Sequence, residues 1–351
     1  MNVIDHKLSS ASILDSLIAI TRDSDRDAMF GSLVCTMREM FESDEVALYW
    51  VLPTSDGHEA WLVASDNPQQ GLVITSQQAG TATPVPLSSN QAFAESFREQ
   101  TCVSRPLPQG DHVKQVHPIS AHGEVVGLLE IQGPALGEVE SRLIRGFLQI
   151  FRNYIQIIDE SERDTLTGLL NRRTFDKNIG KVLLATRDET ELSGGKRQGS
   201  RAKARWLAVL DVDHFKLVND KYGHLYGDEV LLLLAGLMRK TFRNTDMLYR
   251  FGGEEFVIAM NFTDLNGAKS VLERLRKTVE AYDFPQVGRV TVSIGYVRID
   301  DQDAPSTVVG HADEALYYAK HNGRNRVCSY DELVSAGELS AAVVNMDVEL
   351  F

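Results

Sequence analysis

The sequence contains few cysteines and no long apolar run, and each absence excludes a class of protein. Its 351 residues include three cysteines, Cys35, Cys102 and Cys328, which are far apart and form no Cys-x-x-Cys pair. This usage suits a reducing compartment and argues against a protein held together by disulfides. The longest apolar run, residues 230–238, is nine residues long, whereas a membrane-spanning helix needs about 20. We therefore predict no membrane segment and a cytoplasmic location.

Basic residues are scarcer than acidic ones. The chain has 36 Lys and Arg against 49 Asp and Glu, which gives a formal net charge of -13. Because nucleic-acid-binding proteins usually carry a basic surface, we expect no nucleic-acid partner. Residues 1–158 contain 10 basic and 19 acidic residues, whereas residues 159–351 contain 26 and 30. The concentration of cations in the second half indicates local anion binding there.

The remaining composition is that of a globular protein, and the length favours two domains. A helical pattern over residues 12–42 precedes several strand-like runs, and the last two flank a turn at 122–124. This order predicts an α+β domain over residues 1–140. The order and the closing hairpin sequence GEVVGLLEI resemble a GAF sensor domain with an antiparallel sheet and helices; a PAS-like fold is the alternative. The strand-like runs are residues 46–52, 60–64, 71–75, 115–119 and 125–131.

A long helical pattern follows over residues 141–163. Its apolar residues form two neighbouring stripes with spacings of three and four residues. The pattern fits either a helix packed on its own domain or a dimerising signalling helix, and it is too short to establish a coiled coil. The position between two domains favours the signalling helix. The stripes are Leu143, Phe147, Ile150, Tyr154 and Ile157, and Leu148, Phe151, Ile155 and Ile158.

Two further segments have compositions unlike that of a core. Residues 188–205 combine Gly, Ser and cations, which predicts a mobile surface loop between a helix and a strand. Residues 331–351 contain five acidic residues and no basic ones. We interpret them as a C-terminal tail that is partly helical at most, and we assign neither segment a function.

Carboxylates in the second half follow an apolar strand and a tight turn. Asp211 and Asp213 come directly after the strand-like run 205–210, and Glu254 and Glu255 follow Gly-Gly, a hairpin signal. Ligands collect at the carboxyl ends of strands in open α/β sheets, and Mg²⁺ prefers oxygen ligands and phosphates. Adjacent carboxylates repel each other unless a cation lies nearby. Acids at a solvated turn or helix cap are the alternative, which does not explain the apolar strand behind the glutamates.

The motifs around these acids resemble the GGDEF diguanylate cyclases. The segment RFGGEEF at residues 250–256 is similar to the signature hairpin of that family in its GGEEF form. Further segments match the family in order, so the resemblance covers residues 164–330. It implies a nucleotidyl-cyclase-like mixed α/β sheet flanked by helices, followed by a tail over 331–351. The further segments are residues 164–173, 211–220, 222–228, 293–295 and 312–327.

The resemblance implies an activity and a set of metal ligands. Members condense two GTP molecules into cyclic di-GMP and release two pyrophosphates, using two Mg²⁺ (or Mn²⁺) ions per active site. Asp211, Glu254 and the Val212 carbonyl are implied as metal ligands. Glu255 would join the metal site or help to activate the 3′-hydroxyl. Asp213 is equally suited to direct ligation and to support of the ligands.

The resemblance also implies the residues that hold GTP. Asn219 and Asp228 would read guanine, because a buried carboxylate accepts hydrogen bonds from guanine N1 and N2. Lys320 and Arg324 lie four residues apart, which predicts one helical face for the triphosphate. The implied substrate-binding residues are Phe215, Lys216, Asn219, Asp228, Lys320 and Arg324.

Partners follow from the same resemblance. One GTP site cannot close a ring of two nucleotides, so the reaction requires a two-fold homodimer. Arg243 and Asp246, with Arg274 as a partner, resemble the RxxD site at which cyclic di-GMP inhibits many of these bacterial enzymes. We expect an unknown small ligand or protein contact to act on the sensor domain. Its cysteines and histidines have no ligand spacing, which favours inert Cys and surface His.

Two rival functions are considered for the second half. A degenerate domain could bind cyclic di-GMP or GTP without catalysis, but the carboxylates that degenerate members usually lose are all present here. A metal-dependent GTPase is not supported, because no Gly-x-x-x-x-Gly-Lys-Ser/Thr loop occurs. The sequence therefore favours an enzyme.

Overall fold

The chain divides into two compact units, residues 1–161 and residues 162–351. The structure is a computed structural model. Among the residues that it describes, no helix is both long and apolar enough to cross a membrane. The described residues are Ile18, 25–54, 57–75, 84–108, 111–121, 123–192, 204–243, 245–300 and 304–339, with only the backbone described for 184–192 and Phe262.

The first unit packs helices against an antiparallel sheet, as predicted. The sheet order is β3-β2-β1-β7-β6-β5, and β4 pairs with β2. Its resemblance to a GAF domain stays a prediction. The helices are α1 (Arg26–Met40), α2 (Gln91–Glu99) and α3 (Glu138–Glu162). The strands are β1 (Glu45–Thr54), β2 (Gly57–Asn67), β3 (Gly71–Ile74), β4 (Val85–Pro86), β5 (Val103–Pro106), β6 (His112–Ala121) and β7 (Glu124–Pro134).

Helix α3 is part of the core of the first unit. Phe147 is 3% exposed and packs in one cluster with Phe151, Ile155 and residues of α1. The prediction of an intermolecular seam is therefore wrong for Phe147, because its own unit covers this side chain. Ile150 and Ile157 of the same predicted stripe are exposed, at 40% and 60%.

The second unit contains the predicted mixed sheet flanked by helices. Its order is β15-β14-β9-β11-β10-β8, in which β14–β15 and β10–β8 are parallel and the other pairs are antiparallel. The helices are α4 (Arg172–Leu192), α5 (Phe215–Tyr222), α6 (His224–Thr241), α7 (Leu265–Ala281), α8 (Pro305–His321) and α9 (Tyr330–Ser335). The strands are β8 (Leu170–Asn171), β9 (Ala204–Val212), β10 (Met247–Gly252), β11 (Glu255–Thr263), β12 (Asp283–Phe284), β13 (Gly288–Arg289), β14 (Val292–Ile299) and β15 (Val327–Ser329).

Strand β9 lies inside this sheet and is apolar on both faces. Trp206 and Leu210 pack with residues of α6 and α7, whereas Leu207 and Val209 pack with residues of α4 and α8. A strand covered on both faces reads as a continuous apolar run. The first polar side chain that follows this run, Asp211, therefore lies at the edge of the core.

Two segment predictions need correction or lie partly outside the described residues. Residues 188–192 are not loop but the last turn of α4, and residues 193–203 lie outside the described part. The tail begins with helix α9, whose Leu333 and Val334 pack against the core. Residues 340–351 lie outside the described part.

Candidate active site

Sheet pairing brings the predicted acidic residues together. Glu255 at the start of β11 lies opposite Asp211 near the end of β9, and Ser293 of β14 lies opposite Asp211 on the other side. The backbone N of Val212 donates to the carbonyl of Glu254 at 3.4 Å. Adjacent antiparallel strands hold paired side chains close together. Asp211 and Glu255, which are 44 positions apart in the sequence, therefore share one site.

The hairpin turn lies one residue later than the sequence predicted. Gly252 pairs with Glu255, so the two turn residues are Gly253 and Glu254 rather than Gly252 and Gly253. Gly253 has a φ of 51°, a left-handed conformation that glycine adopts without steric cost. A register shift between Arg250 and Gly252 accounts for the displacement. It places Glu254 at the tip of the turn.

Lys320 of helix α8 supplies the positive charge at this site. Its Nζ lies 2.9 Å from Oδ2 of Asp211, which is itself 6% exposed. Burial raises the pKa of Asp211 in spite of this ion pair. Burial and the charge of Asp211 also raise the pKa values of Glu254 and Glu255. Asp313, on the same helix as Lys320, also interacts with this lysine, so Lys320 faces four carboxylates that disfavour each other's ionisation.

The donor set has the chemistry of a site for a hard divalent cation. The side chains of Asp211, Glu254 and Glu255 offer only oxygen, and burial, followed by the charges of neighbouring carboxylates, raises their pKa values. Within the described residues, no three His, Cys, Asp or Glu side chains form a ready-made metal cluster. The residues fit Mg²⁺ or Mn²⁺ by ligand type, with Lys320 bonded to one of the candidate ligand atoms.

Both carboxylate oxygens of Asp213 accept hydrogen bonds from neighbouring elements. Its Oδ1 accepts from Ser293 Oγ at 2.7 Å, and its Oδ2 accepts from Thr291 Oγ1 at 2.6 Å and from the backbone N of Asn325 at 3.0 Å. The residue is 5% exposed. These three bonds favour support of the strand end over direct metal ligation.

Asn219 and Phe215 meet above a glycine at the start of α6. A Cβ at Gly227 would lie 2.0 Å from Oδ1 of Asn219 and 3.2 Å from Cζ of Phe215. The glycine therefore permits α5 to lie close to α6. Asp228, the next residue, is exposed, so the expectation of a buried Asp228 is wrong for this structure. Asp228 is the fifth residue of α6 and lies on its solvent-facing side.

Lys320 and Arg324 do not share a helical face. Helix α8 ends at His321, and Gly323 has a φ of 105°. The backbone N of Arg324 donates to the carbonyl of Ala319 at 3.0 Å, a bond of the Schellman motif that ends helices. Arg324 lies in the following turn with its side chain exposed, and Lys216 on α5 is also exposed.

The predicted inhibitory residues lie near one another at the ends of α6 and β10. The backbone N of Arg243 donates to Asp246 Oδ2 at 3.1 Å, and that of Asn261 donates to Oδ1 at 3.1 Å. Burial raises the pKa of Asp246 against the effect of these bonds. Arg274 of α7 donates to the carbonyl of Thr241 at 2.6 Å, two residues before Arg243. The side chains of Arg243 and Arg274 are exposed.

An ion pair that holds the hairpin was not identified from the sequence. Arg250 Nη1 lies 3.0 Å from Oδ1 of Asp164, and Arg250 Nη2 donates to the Gly253 carbonyl at 2.8 Å. Burial raises the pKa of Asp164, but hydrogen bonds from Thr167 and Arg250 outweigh it and lower the pKa. Asp164 begins the motif DTLTG and Arg250 begins the motif RFGGEEF. These two motifs are the sequence signal from which the ion pair could have been predicted.

One histidine of the first unit is buried rather than on the surface. His117 is 1% exposed, and burial lowers its pKa to about 4. Its Nε2 lies 3.7 Å from Cys102 Sγ. The expectation of a surface histidine is wrong here, because β6 directs this side chain beneath α3. His122 lies outside the described residues.

A family model and several curated proteins match part of this chain. Residues 161–326 match the family described as diguanylate cyclase, GGDEF domain. The chain is 42% identical over 167 residues to diguanylate cyclase DgcP of Pseudomonas aeruginosa, covering 47% of this chain and 23% of that protein. It is 41% identical over 180 residues to diguanylate cyclase A of Treponema denticola, covering 50% and 46%. The chain thus spans less than half the length of these curated relatives.

A solved structure also matches part of this chain. The GGDEF domain of DgcB from Caulobacter crescentus, in complex with c-di-GMP, is 32% identical with a TM-score of 0.42. The match covers 48% of this chain and 96% of that one.

Proposed function

Residues 161–326 match the GGDEF domain of diguanylate cyclases, and on this premise we propose that the chain is a diguanylate cyclase. It condenses two GTP molecules into cyclic di-GMP and releases two pyrophosphates. The observation that carries the proposal is the pairing of Asp211 with Glu255, with Lys320 2.9 Å from Asp211. Phosphoryl transfer depends mainly on positioning and charge stabilisation, which such a group of charges supplies.

In the proposed reaction, the carboxylates and Lys320 have separate roles. Asp211, Glu254 and the Val212 carbonyl hold Mg²⁺ or Mn²⁺, two ions per site, which stabilise the attacking and leaving oxygens when bound. Glu255 completes the ligand set or accepts the proton of the attacking 3′-hydroxyl, and burial raises its pKa as it does for the neighbouring carboxylates. Lys320 moves from Asp211 to a phosphate oxygen, for which its compact ammonium is suited.

Residues on both sides of the strand end bind the nucleotide. Asn219 and Asp228 bind guanine, and the carboxylate of Asp228 accepts hydrogen bonds from guanine N1 and N2. This exposed carboxylate becomes desolvated only when the base covers it. Lys216 and Arg324, both exposed, contact the phosphates. Phe215 is buried next to Gly227, so it supports this site through packing.

The reaction requires a homodimer, and helix α3 offers a surface for it. Six residues, which we name the outer seam, recur at spacings of four, three, four, three and four along α3, the pattern of a coiled coil. Leu143 is half-buried and the others are exposed. A second copy would cover their apolar side chains and bring two GTP sites together. The outer seam consists of Val139, Leu143, Gly146, Ile150, Asn153 and Ile157.

Regulation is part of the proposal. Cyclic di-GMP would inhibit by binding at Arg243, Asp246 and Arg274. The guanidinium groups of the two arginines suit phosphate and guanine. A small ligand or protein contact would act on the first unit. A cytoplasmic location agrees with the three free cysteines, Cys35, Cys102 and Cys328.

The proposal is tested by incubating the purified protein with GTP and Mg²⁺ and identifying the product by mass spectrometry. Cyclic di-GMP and pyrophosphate are expected, and Glu254→Gln is expected to form neither at a detectable rate. Lys269→Ala is the control, because it breaks an exposed ion pair with Glu332 on the same unit. GTP binding without turnover would instead support a receptor, and release of GDP would support a GTPase.

A further inference from the structure

The turn that follows helix α8 has an unusual backbone conformation. Gly323, Arg324 and Asn325 have φ angles of 105°, 58° and 46°, so three successive residues are left-handed. Glycine adopts this region freely and asparagine tolerates it, whereas arginine does so at a steric cost. Such conformations persist where surrounding contacts determine them. The contacts that hold this turn therefore bear on where Arg324 lies.

Asn325 connects the turn to two other elements. Its backbone N donates to Oδ2 of Asp213 at 3.0 Å. Its Oδ1 accepts from Nη1 of Arg276 at 2.8 Å, and its Nδ2 donates to Oε1 of Glu280 at 2.7 Å. The backbone N–H and both ends of the side-chain amide are thus bonded, one to the end of β9 and two to helix α7.

Arg276 is itself fixed within α7. Its Nε donates to Glu273 at 2.9 Å, its Nη1 also donates to Glu280 at 2.8 Å, and its side chain is 12% exposed. Hydrogen bonds from Arg276 and Asn325 lower the pKa of Glu280. Hydrogen bonds to ionised groups are stronger and more directional than neutral ones. The guanidinium therefore offers Asn325 a donor that is already oriented.

These contacts form a unit, the Asn325 clamp, made of Asp213, Arg276, Glu280 and Asn325. Asp213, at one end of the clamp, lies two residues after Asp211 in the sequence. Asn325, at the other end, directly follows Arg324. We propose that Arg276 and Asn325 are positioning residues that fix Arg324 relative to the carboxylate end of β9, so that it meets the β- and γ-phosphates of GTP. This inference rests on the proposed function, which assigns Arg324 to the phosphates.

The clamp is tested with Asn325→Gly, which keeps the left-handed backbone but removes both side-chain bonds, and with Arg276→Met. Binding of 3′-deoxy-GTP, which lacks the attacking hydroxyl, and of GMP is measured calorimetrically with Mg²⁺. We expect each variant to weaken 3′-deoxy-GTP binding about fivefold or more, with GMP binding within about twofold of wild type, since GMP lacks the phosphates concerned. The double variant should bind 3′-deoxy-GTP with an affinity no lower than that of the more weakly binding single variant, because both substitutions remove the same contact.

Equal weakening of both nucleotides, or unchanged binding of both, would overturn the clamp. Lys269→Ala is the matched control on α7, because its partner Glu332 lies on α9 and not in the turn.

A second measurement needs no nucleotide. Amide hydrogen exchange of Arg324 and Asn325 should be at least about tenfold faster in Arg276→Met and unchanged in Lys269→Ala. Protected amides in Arg276→Met would refute the clamp even if the enzyme were active. Faster exchange in a protein that binds no GTP would support the clamp and reject the proposed function instead.

Discussion

A glycine on β14 sets the spacing between the sheet and helix α8. A Cβ at Gly295 would lie 2.1 Å from the backbone N of Leu316 and 2.2 Å from the carbonyl O of Ala312. Non-bonded heavy atoms prefer separations of about 3.5–4.0 Å. Gly295→Ala therefore forces α8 outward by more than about 1 Å, because the obstructing atoms are backbone and no rotamer change relieves the contact.

The magnitude follows from this overlap. Overpacking of a core lowers the free energy of unfolding by about 1–3 kcal/mol. Because the atoms that obstruct the new Cβ belong to the backbone of a packed helix, we expect Gly295→Ala to cost about 3 kcal/mol, the upper end of this range. For a unit of this size, such a loss lowers Tm by about 6–12 °C. The shift of α8 also carries Lys320 away from Asp211, now at 2.9 Å. We expect cyclic di-GMP formation to fall about tenfold or more, equivalent to about 1.4 kcal/mol in the barrier.

The assay compares Gly295→Ala with a glycine on α8 itself. A Cβ at Gly310 meets nothing within 4 Å, so Gly310→Ala should be stabilising by about 0.5–1 kcal/mol through helix propensity. Thermal unfolding by circular dichroism gives Tm, and product is measured well below the transition. A Tm for Gly295→Ala within about 2 °C of wild type would refute the packing argument.

Two further predictions concern the carboxylates and the outer seam. The raised pKa of Glu255 means that the folded state binds its proton more tightly than the unfolded chain, so stability falls as pH rises above the ordinary value of 4.5. Glu255→Gln should therefore raise Tm at pH 7.5 by about 1–2 °C, which corresponds to a gain in the free energy of unfolding on the order of 0.5 kcal/mol. The rise in Tm should be smaller at pH 4.5. A lower Tm than that of the wild type at pH 7.5 would contradict this prediction. Replacing both Ile150 and Ile157 by Glu should convert a dimer to a monomer in sedimentation experiments without lowering Tm, whereas Phe147→Glu should unfold the first unit because Phe147 is core. An unchanged sedimentation coefficient for the double Glu variant would remove the outer seam from the proposal.

The sequence predicted the carboxylates of the site better than it predicted their surroundings. Asp211 and Glu255 lie opposite each other because each follows or begins an apolar strand, a pattern visible in the sequence. The spacing of Lys320 and Arg324 suggested a shared face, but the helix ends between them at Gly323. Whether a glycine terminates a helix depends on a φ angle that residue spacing does not report.

Helix α3 shows the same limit in another form. Its apolar residues form more than one stripe, and periodicity cannot tell which stripe faces the core. The structure divides one of the predicted stripes, because it buries Phe147 and leaves Ile157 exposed. Likewise, Asn325 and Arg276 are 49 positions apart, and no local pattern predicts a bond between them. Contacts of this kind arise from the path of the chain, which only the fold specifies.

The bond between Lys320 and Asp211 makes the ammonium group a competitor of any cation for the same oxygen. If the proposed function holds, a metal ion arriving alone must displace Lys320, whereas one that arrives with GTP finds the lysine drawn toward phosphate. Nucleotide and metal should therefore bind with positive cooperativity, and by thermodynamic linkage each should tighten the other by the same factor. Calorimetric titration of Mg²⁺ with and without 3′-deoxy-GTP would measure that factor, and Lys320→Met should reduce it. In the absence of GTP, the ammonium group of Lys320 would thus neutralise Asp211 in place of the metal ion, and it would leave Asp211 when GTP binds.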